Sequence, residues 1–241
     1  MGEEKKLAKK DSNVPTFLNS QEIDLDLMNV DSSELRVSGL DLCQPTTDFV
    51  QEGKAKLGDF VDRITEQNFG PEIEIIVLKR DKVWLKFGKE GDPNLRSEDG
   101  RFWDDGKPLS KEDEWKCACH NFYVLVRNHL QELPNRLSFR GTAYREGDNL
   151  LNQIVRFAKM GVGGQKTPVH ARAYKVKSEQ RMKNNHKFFV PIVSCTGFVT
   201  EDEYKYASKV IEELKKRKVV SADEEIVLHP GEGDADGLAM D

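Results

Sequence analysis

The sequence predicts a mainly β protein with helical additions: an antiparallel β-barrel with long polar loops and a C-terminal helix. Three observations predict it. Segments of alternating or β-branched residues recur along the chain, only two stretches carry a helical period, and loops rich in Gly, Pro and charge separate them.

Residues 1–36 are polar and weakly patterned, so they read as a flexible N-terminal arm, with structure beginning near Val37. Gly58-Asp59-Phe60 opens a short segment. The clearest strand is 72–79, rich in β-branched residues and preceded by Gly70-Pro71. A turn is expected at Arg80-Asp81, followed by strict alternation over 82–87: Val83, Leu85 and Phe87 on one side, Lys82, Trp84 and Lys86 on the other. The two strands read as a β-hairpin. Residues 88–116, with many Gly, Pro and charges, read as a long loop. Strands are expected around 121–126 and 135–140, then an amphipathic helix over 146–158 carrying Leu150, Leu151, Ile154, Val155 and Ala158. A glycine-rich loop, 161–166, ends that helix. Strands 171–177 and 187–194 follow, separated by a basic, flexible connection over 180–185. Thr200 and Glu203 form a capping box for a helix over 201–217, whose buried stripe is Tyr204, Ala207, Ile211 and Leu214. Six or more strands with two helices suit a small barrel of the OB-fold kind.

The chain has 241 residues, enough for one large domain or two small ones, and a mean hydropathy of -0.64. No apolar run approaches the ~18 residues a membrane span requires. The charged N-terminus lacks the apolar core of a secretory signal. Cys43, Cys117, Cys119 and Cys195 show no disulfide-framework spacing and read as reduced thiols of a cytoplasmic protein. The expected organisation is an arm (1–36), an OB-fold-like nucleic-acid-binding domain (37–218) and an acidic C-terminal tail (219–241). A homo-oligomer is compatible with it.

Charge is laid out unevenly. The formal net charge is -5, yet residues 134–195 carry 12 Lys/Arg against 3 Asp/Glu, while 219–241 carry 7 Asp/Glu and no Lys or Arg. A basic middle with an acidic end points to a polyanion binder with a competing tail. Trp84 stands on the polar face of its strand with Lys82 and Lys86 two residues away on either side. An aromatic face for a base with cations for its phosphates is what a single-strand binder needs; packing under a loop or helix is the structural alternative. Lys79, Arg80, Lys82, Trp84 and Lys86 are expected to form one wall of a groove. Arg136 and Arg140, on the outward face of their strand, continue the site. Arg140, Arg172, Tyr174, Lys175, Lys177 and Lys187 form the other wall, with Arg181 and Lys183 in the same cluster. The cations neutralise phosphates, while Trp84 and Tyr174 carry bases.

Other chemistry is poorly supported. The stretch Gly161-Val-Gly-Gly-Gln-Lys-Thr167 lacks the glycine a phosphate loop needs before its Lys-Thr pair, and it follows a helix. Cys117-Ala-Cys119-His120 is half a zinc site at most, with no matching second pair, so no metal and no cofactor is assigned. The carboxylates of the long loop bring no nucleophile, base and orienter together, so no catalytic residue and no enzyme activity is assigned.

With these residues in view, the chain resembles a bacteriophage-type single-stranded DNA-binding protein of the OB-fold class. The resemblance covers roughly residues 37–218. It is carried by Gly58-Asp59-Phe60, Gly70-Pro71-Glu72-Ile73-Glu74-Ile75 and Ser97-Glu98-Asp99-Gly100, then by Asn121-Phe122-Tyr123-Val124-Leu125, Leu137-Ser138-Phe139-Arg140-Gly141-Thr142 and Phe188-Phe189-Val190-Pro191, in that order. It implies a protein that coats single strands during phage DNA replication and recombination, in some cases promoting annealing, with an acidic tail contacting replication or recombination proteins. The runner-up is a phage protein–protein interaction module, either a replisome adaptor or a DNA-mimicking inhibitor of a host enzyme, with the acidic segments as its working surface. A metal-dependent nuclease using the loop carboxylates comes last.

Overall fold

A computed structural model describes residues 34–88, 94–111, 113, 116–129, 133–160, 166–183 and 185–221. Its strands are β1 (Glu34–Leu42), β2 (Phe60–Asp62), β3 (Asn68–Gly70), β4 (Glu72–Lys86), β5 (Leu95–Ser97), β6 (Lys116–Val126), β7 (Asn135–Arg140), β8 (Arg172–Lys183), β9 (His186–Phe198) and β10 (Lys218–Ser221). The α-helices are α1 (Asp48–Gln51), α2 (Tyr144–Met160) and α3 (Glu201–Lys216). The strands form one sheet in the order β3-β2-β1-β7-β6-β4-β8-β9, with β10 added beside β1 and β5 beside β4. The mainly β class is as the sequence predicts.

The sheet is strongly curled. Leu40 and Phe60 at one end of the strand order share a single core with Tyr174, Val176 and Val193 at the other. Leu150 and Ile154 of α2 fill the same core, so α2 lies on the inner face. Where the two margins meet, the side chain of Gln44 replaces a strand ladder: its amide nitrogen donates to the Phe189 carbonyl (2.9 Å) and its oxygen accepts from the Phe189 N–H (2.9 Å). Gly58, at φ +84°, lies so close to Phe189 and Ser178 that a Cβ would stand 2.6 Å from the Ser178 hydroxyl. Only glycine satisfies both the backbone angle and the contact. On the outer face, α3 covers a second, smaller core of Ile76, Leu78 and Leu125 with Ala207 and Leu214. The predicted capping box of Thr200 and Glu203 starts α3.

The largest difference from expectation is β4. No hairpin turn forms at Arg80-Asp81. Neither residue supplies the left-handed backbone that a two-residue turn favours, and β4 instead pairs with β6 from Ile75↔Val126 to Lys86↔Lys116. A bulge between Val77 and Lys79 reverses the alternation. Before it, Ile73, Ile75 and Val77 face the inner core; after it, Arg80, Lys82, Trp84 and Lys86 take the inner face and Lys79, Asp81 and Val83 the outer.

Other boundaries shift too. β1 starts at Glu34, inside the expected arm, and β10, inside the expected tail, pairs in parallel with β1 over Glu34↔Lys218 to Val37↔Ser221. Apolar Val219 explains this, since it packs with Leu35 against the second core. Residues 1–33 of the arm, 222–241 of the acidic tail and 161–165 of the glycine loop lie outside the described residues. The connection expected to be flexible over 180–185 is mostly strand: β8 and β9 pair through Lys183↔His186. Part of the long loop is also built. β5 pairs with β4, and Trp103 is 3% exposed. Asp113 accepts from the Trp103 indole (3.0 Å), the Ser110 N–H (2.7 Å) and Lys86 (3.1 Å).

Candidate nucleic-acid interface

The bulge in β4 decides where the expected first wall goes. Lys82 and Lys86 flank Trp84 on one face, as the alternation requires. Lys82 is exposed, and its ammonium lies 5.2 Å from the centre of the Trp84 ring. The indole is half-buried rather than free. Its Nε1 edge lies against Gly100, where a Cβ would approach to 2.9 Å, and Trp84 pairs across the sheet with Ser97 and Ala118. Gly100, at φ +71°, lies within an Asx-type loop in which Asp99 accepts from the N–H groups of Arg101 (2.7 Å) and Phe102 (3.1 Å). These bonds hold the Asp99 carboxyl below its ordinary range. Lys86 is paired with Asp113 (3.1 Å). Arg80 turns away from solvent, with Nε 3.0 Å and Nη2 2.7 Å from His120 Nδ1.

Lys79 does not belong to this strip. It stands on the outer face, 3.2 Å from Asp81 and 5.4 Å from the centre of the Tyr123 ring. Arg136 and Arg140 share that face: the register places Arg136 opposite Tyr123 and Arg140 opposite Cys119. Arg140 is exposed and lies 5.3 Å from the centre of the Phe87 ring. The expected continuity of these arginines with Lys82 and Trp84 is therefore corrected: the sheet itself separates them.

The expected second wall breaks up further. Tyr174 is 1% exposed and belongs to the main core, so it cannot stack on a base; burial pushes its hydroxyl up to about 12. β8 alternates with Ala173, Lys175 and Lys177 on the outer face, which leaves Tyr174 pointing inward. The Arg172 guanidinium is held between two rings, 4.4 Å from the centre of Phe157 and 4.1 Å from that of Phe198, where it completes packing instead of meeting phosphate. Lys175 is paired with Glu72 (2.7 Å). Lys177 and Lys187 are exposed. On the outer face, the α3-covered core of Ile76 and Leu78 lies between Lys175 and Lys79. A single two-walled trough is thus not formed.

Three features bear on the other chemistries. His120, 1% exposed, has Nδ1 facing Arg80 and Nε2 2.9 Å from Asp148. Because a guanidinium only donates, Nδ1 accepts and the Nε2–H donates to Asp148. Burial, then the Arg80 charge, lowers the His120 pKa. The ring is a neutral strut tying β6 to α2, with the Tyr144 ring centre 4.5 Å away. Cys117 and Cys119 point to the opposite face from His120 by strand alternation, so the Cys-x-Cys-His segment cannot converge on one ion; among the described residues no three His, Cys, Asp or Glu side chains could hold a metal. Burial pushes the Cys119 thiol up to about 11. The loop carboxylates Asp99, Asp105 and Asp113 are engaged in bonds within their own loop or with Lys86. Sequence reasoning missed the Arg80–His120–Asp148 network because its members are far apart in the chain; the only local signal was a histidine on the inward phase of an apolar strand.

A family model described as Pam3 phage gp34-like protein matches residues 6–220. The chain belongs to this family. The match spans every strand and helix from β1 to α3 and nearly all of β10. No curated protein and no solved structure matches the chain. No helix among the described residues is long and apolar enough to cross a membrane.

Proposed function

We propose that this phage-family protein binds single-stranded DNA without sequence preference, as a non-enzymatic coating protein of replication or recombination in the host cytoplasm, and that its curled sheet serves as an OB-fold-like barrel. The observation that carries the reading is the Lys82–Trp84 pair on the inner-face strip of β4, an exposed ammonium beside a partly accessible indole. The phage character of the family supports it. Bases stack on the indole, each contributing about 1–3 kcal/mol, and Lys82 meets the adjoining phosphate. The acidic tail then competes for the strip and contacts partner proteins. The loop carboxylates Asp99, Asp105 and Asp113 are engaged locally, which weighs against the DNA-mimic and nuclease alternatives.

The test is anisotropy of labelled oligo-dT at two salt concentrations. Trp84→Ala is expected to weaken binding roughly 5- to 100-fold, with Trp84→Phe retaining most of it. Lys82→Ala is expected to lower the salt slope by about 0.7. Wild-type affinity in Trp84→Ala, with the fold intact by circular dichroism, overturns the reading.

A further inference from the structure

Beyond Lys177, β8 leaves the sheet. Its pairing with β4 ends at Glu72↔Lys177, whereas its pairing with β9 continues through Lys183↔His186. The barrel grips this pair at its base, through Gln44 on Phe189 and Gly58 on Ser178, and reaches Arg181 through Glu146 of α2 (3.7 Å). The turn is tight, with Asn185 in the left-handed region at φ 66°. Glu179, Gln180, Arg181, Met182, Lys183, Asn185, His186 and Lys187 are all exposed. This is a two-stranded ribbon with bare flanks, an arrangement that contributes little to a core and that a barrel does not require.

Its chemistry is one-sided in sign and two-sided in space. Lys177, Arg181, Lys183 and Lys187 stand against one carboxylate, Glu179. Register and alternation place Lys177, Arg181 and Lys183 on one face of the ribbon, and Met182 with its partner Lys187 on the other. Arg181 is held by Glu179 (3.3 Å) and, more distantly, Glu146 (3.7 Å). Lys183 and Lys187 have no ion pair among the described residues. The ribbon's aromatic residues, Phe188 and Phe189, are half-buried, Phe189 against Gly58, so the exposed tip presents cations and Met182. Met182, 66% exposed one pair from the tip, is an apolar group projecting into solvent.

We infer that the β8–β9 ribbon is a second nucleic-acid element, one that enters the major groove of a duplex. A two-stranded ribbon has the width that groove admits. A groove has phosphates on both walls, which suits cations on both faces, whereas a single strand lying across a surface needs them on one. Phosphate contacts from either face fix the ribbon without reading sequence. The inference rests on the proposed polynucleotide-binding role and extends it: the β4 strip holds the unpaired strand and the ribbon holds the adjoining duplex.

The experiment compares the full chain, Lys183→Gln/Lys187→Gln and Trp84→Ala on a 20-bp duplex and on oligo-dT, from 50 to 200 mM salt. The double variant changes only exposed side chains, and its melting curve checks the fold. It is expected to bind duplex on the order of tenfold more weakly, with a salt slope lower by about 2, while keeping its oligo-dT affinity. Trp84→Ala is expected to show the reverse pattern. No measurable duplex binding by the full chain, or duplex binding by the double variant equal to wild type, overturns the ribbon assignment. Equal loss on duplex and oligo-dT overturns the groove geometry. Normal oligo-dT binding by Trp84→Ala overturns the β4 strip and leaves the ribbon standing.

Discussion

His120→Ala removes the centre of the buried polar network. The ring is 1% exposed, and Gly147 of α2 packs so closely that a Cβ there would stand 3.0 Å from His120 Cδ2 and 2.8 Å from Phe139 Cβ. Deleting the imidazole leaves Arg80 facing a void, losing hydrogen bonds to charged partners worth about 1.5–3 kcal/mol. It also opens a cavity between β6 and α2, and large-to-small core changes cost about 2–5 kcal/mol. The two overlap, so the expected loss is about 3–5 kcal/mol. At roughly 2–4 °C per kcal/mol for a domain of this size, the melting temperature should fall by about 10 °C at pH 7.5. The pH dependence gives an independent check. The folded ring resists protonation because of burial and Arg80, whereas the unfolded ring titrates near its ordinary 6.5. The unfolded state therefore binds more protons below that value, so wild-type stability is full above about pH 6.5 and declines as pH falls. The variant lacks this contribution, and the gap between the two melting temperatures should narrow from pH 7.5 to 5.5. A drop under about 2 °C at pH 7.5, or a gap that widens on acidification, refutes the reasoning.

Asp113 is held down to about 2 by the Ser110 N–H, then the Trp103 indole and Lys86, so the loop contact it stabilises should persist above the ordinary carboxylate range and be lost as pH falls toward 2. Trp103 emission should report this loss, and Asp113→Asn should abolish the acid transition; a transition unchanged in the variant assigns it elsewhere. Gly58→Ala combines a left-handed backbone with a contact of 2.6 Å to Ser178, for an expected cost of about 2–4 kcal/mol. In urea its midpoint should fall with unchanged slope, and an unaltered midpoint would show that the Ser178 and Phe189 side chains simply move aside.

The elements with a strong period were legible in the sequence. The β-branched run before Lys79, the helix bearing Leu150 and Ile154, and the capping box at Thr200 follow from local spacing. The hairpin at Arg80-Asp81 did not form because cross-strand pairing with β6, an element some 40 residues distant, outweighs local polarity. That one-residue bulge also misdirected the site. The Lys82/Trp84/Lys86 alternation was read correctly, but which face of the sheet it occupies depends on Leu78 dropping out of register. Tyr174 shows the complementary failure. Set among lysines it looks like a surface aromatic, yet the lysines are the outward half of an alternating strand and the tyrosine the inward half. The charge asymmetry predicted cations without predicting their partners, because Glu72 meets Lys175 only through the β4–β8 register.

The amide of Gln44 joins main-chain groups 145 positions further along the chain. Bringing such distant segments together is entropically costly, so this closure comes late in folding, after the β4–β6–β7 and β8–β9 pairings have shortened the effective separation. Until then β1 has β2 and β7 as partners, but the Gln44 margin beyond it stays open. On a ribosome β1 and β2 can therefore pair as soon as they emerge, and β7 can join them, while the Gln44 margin closes only once β9 has been made.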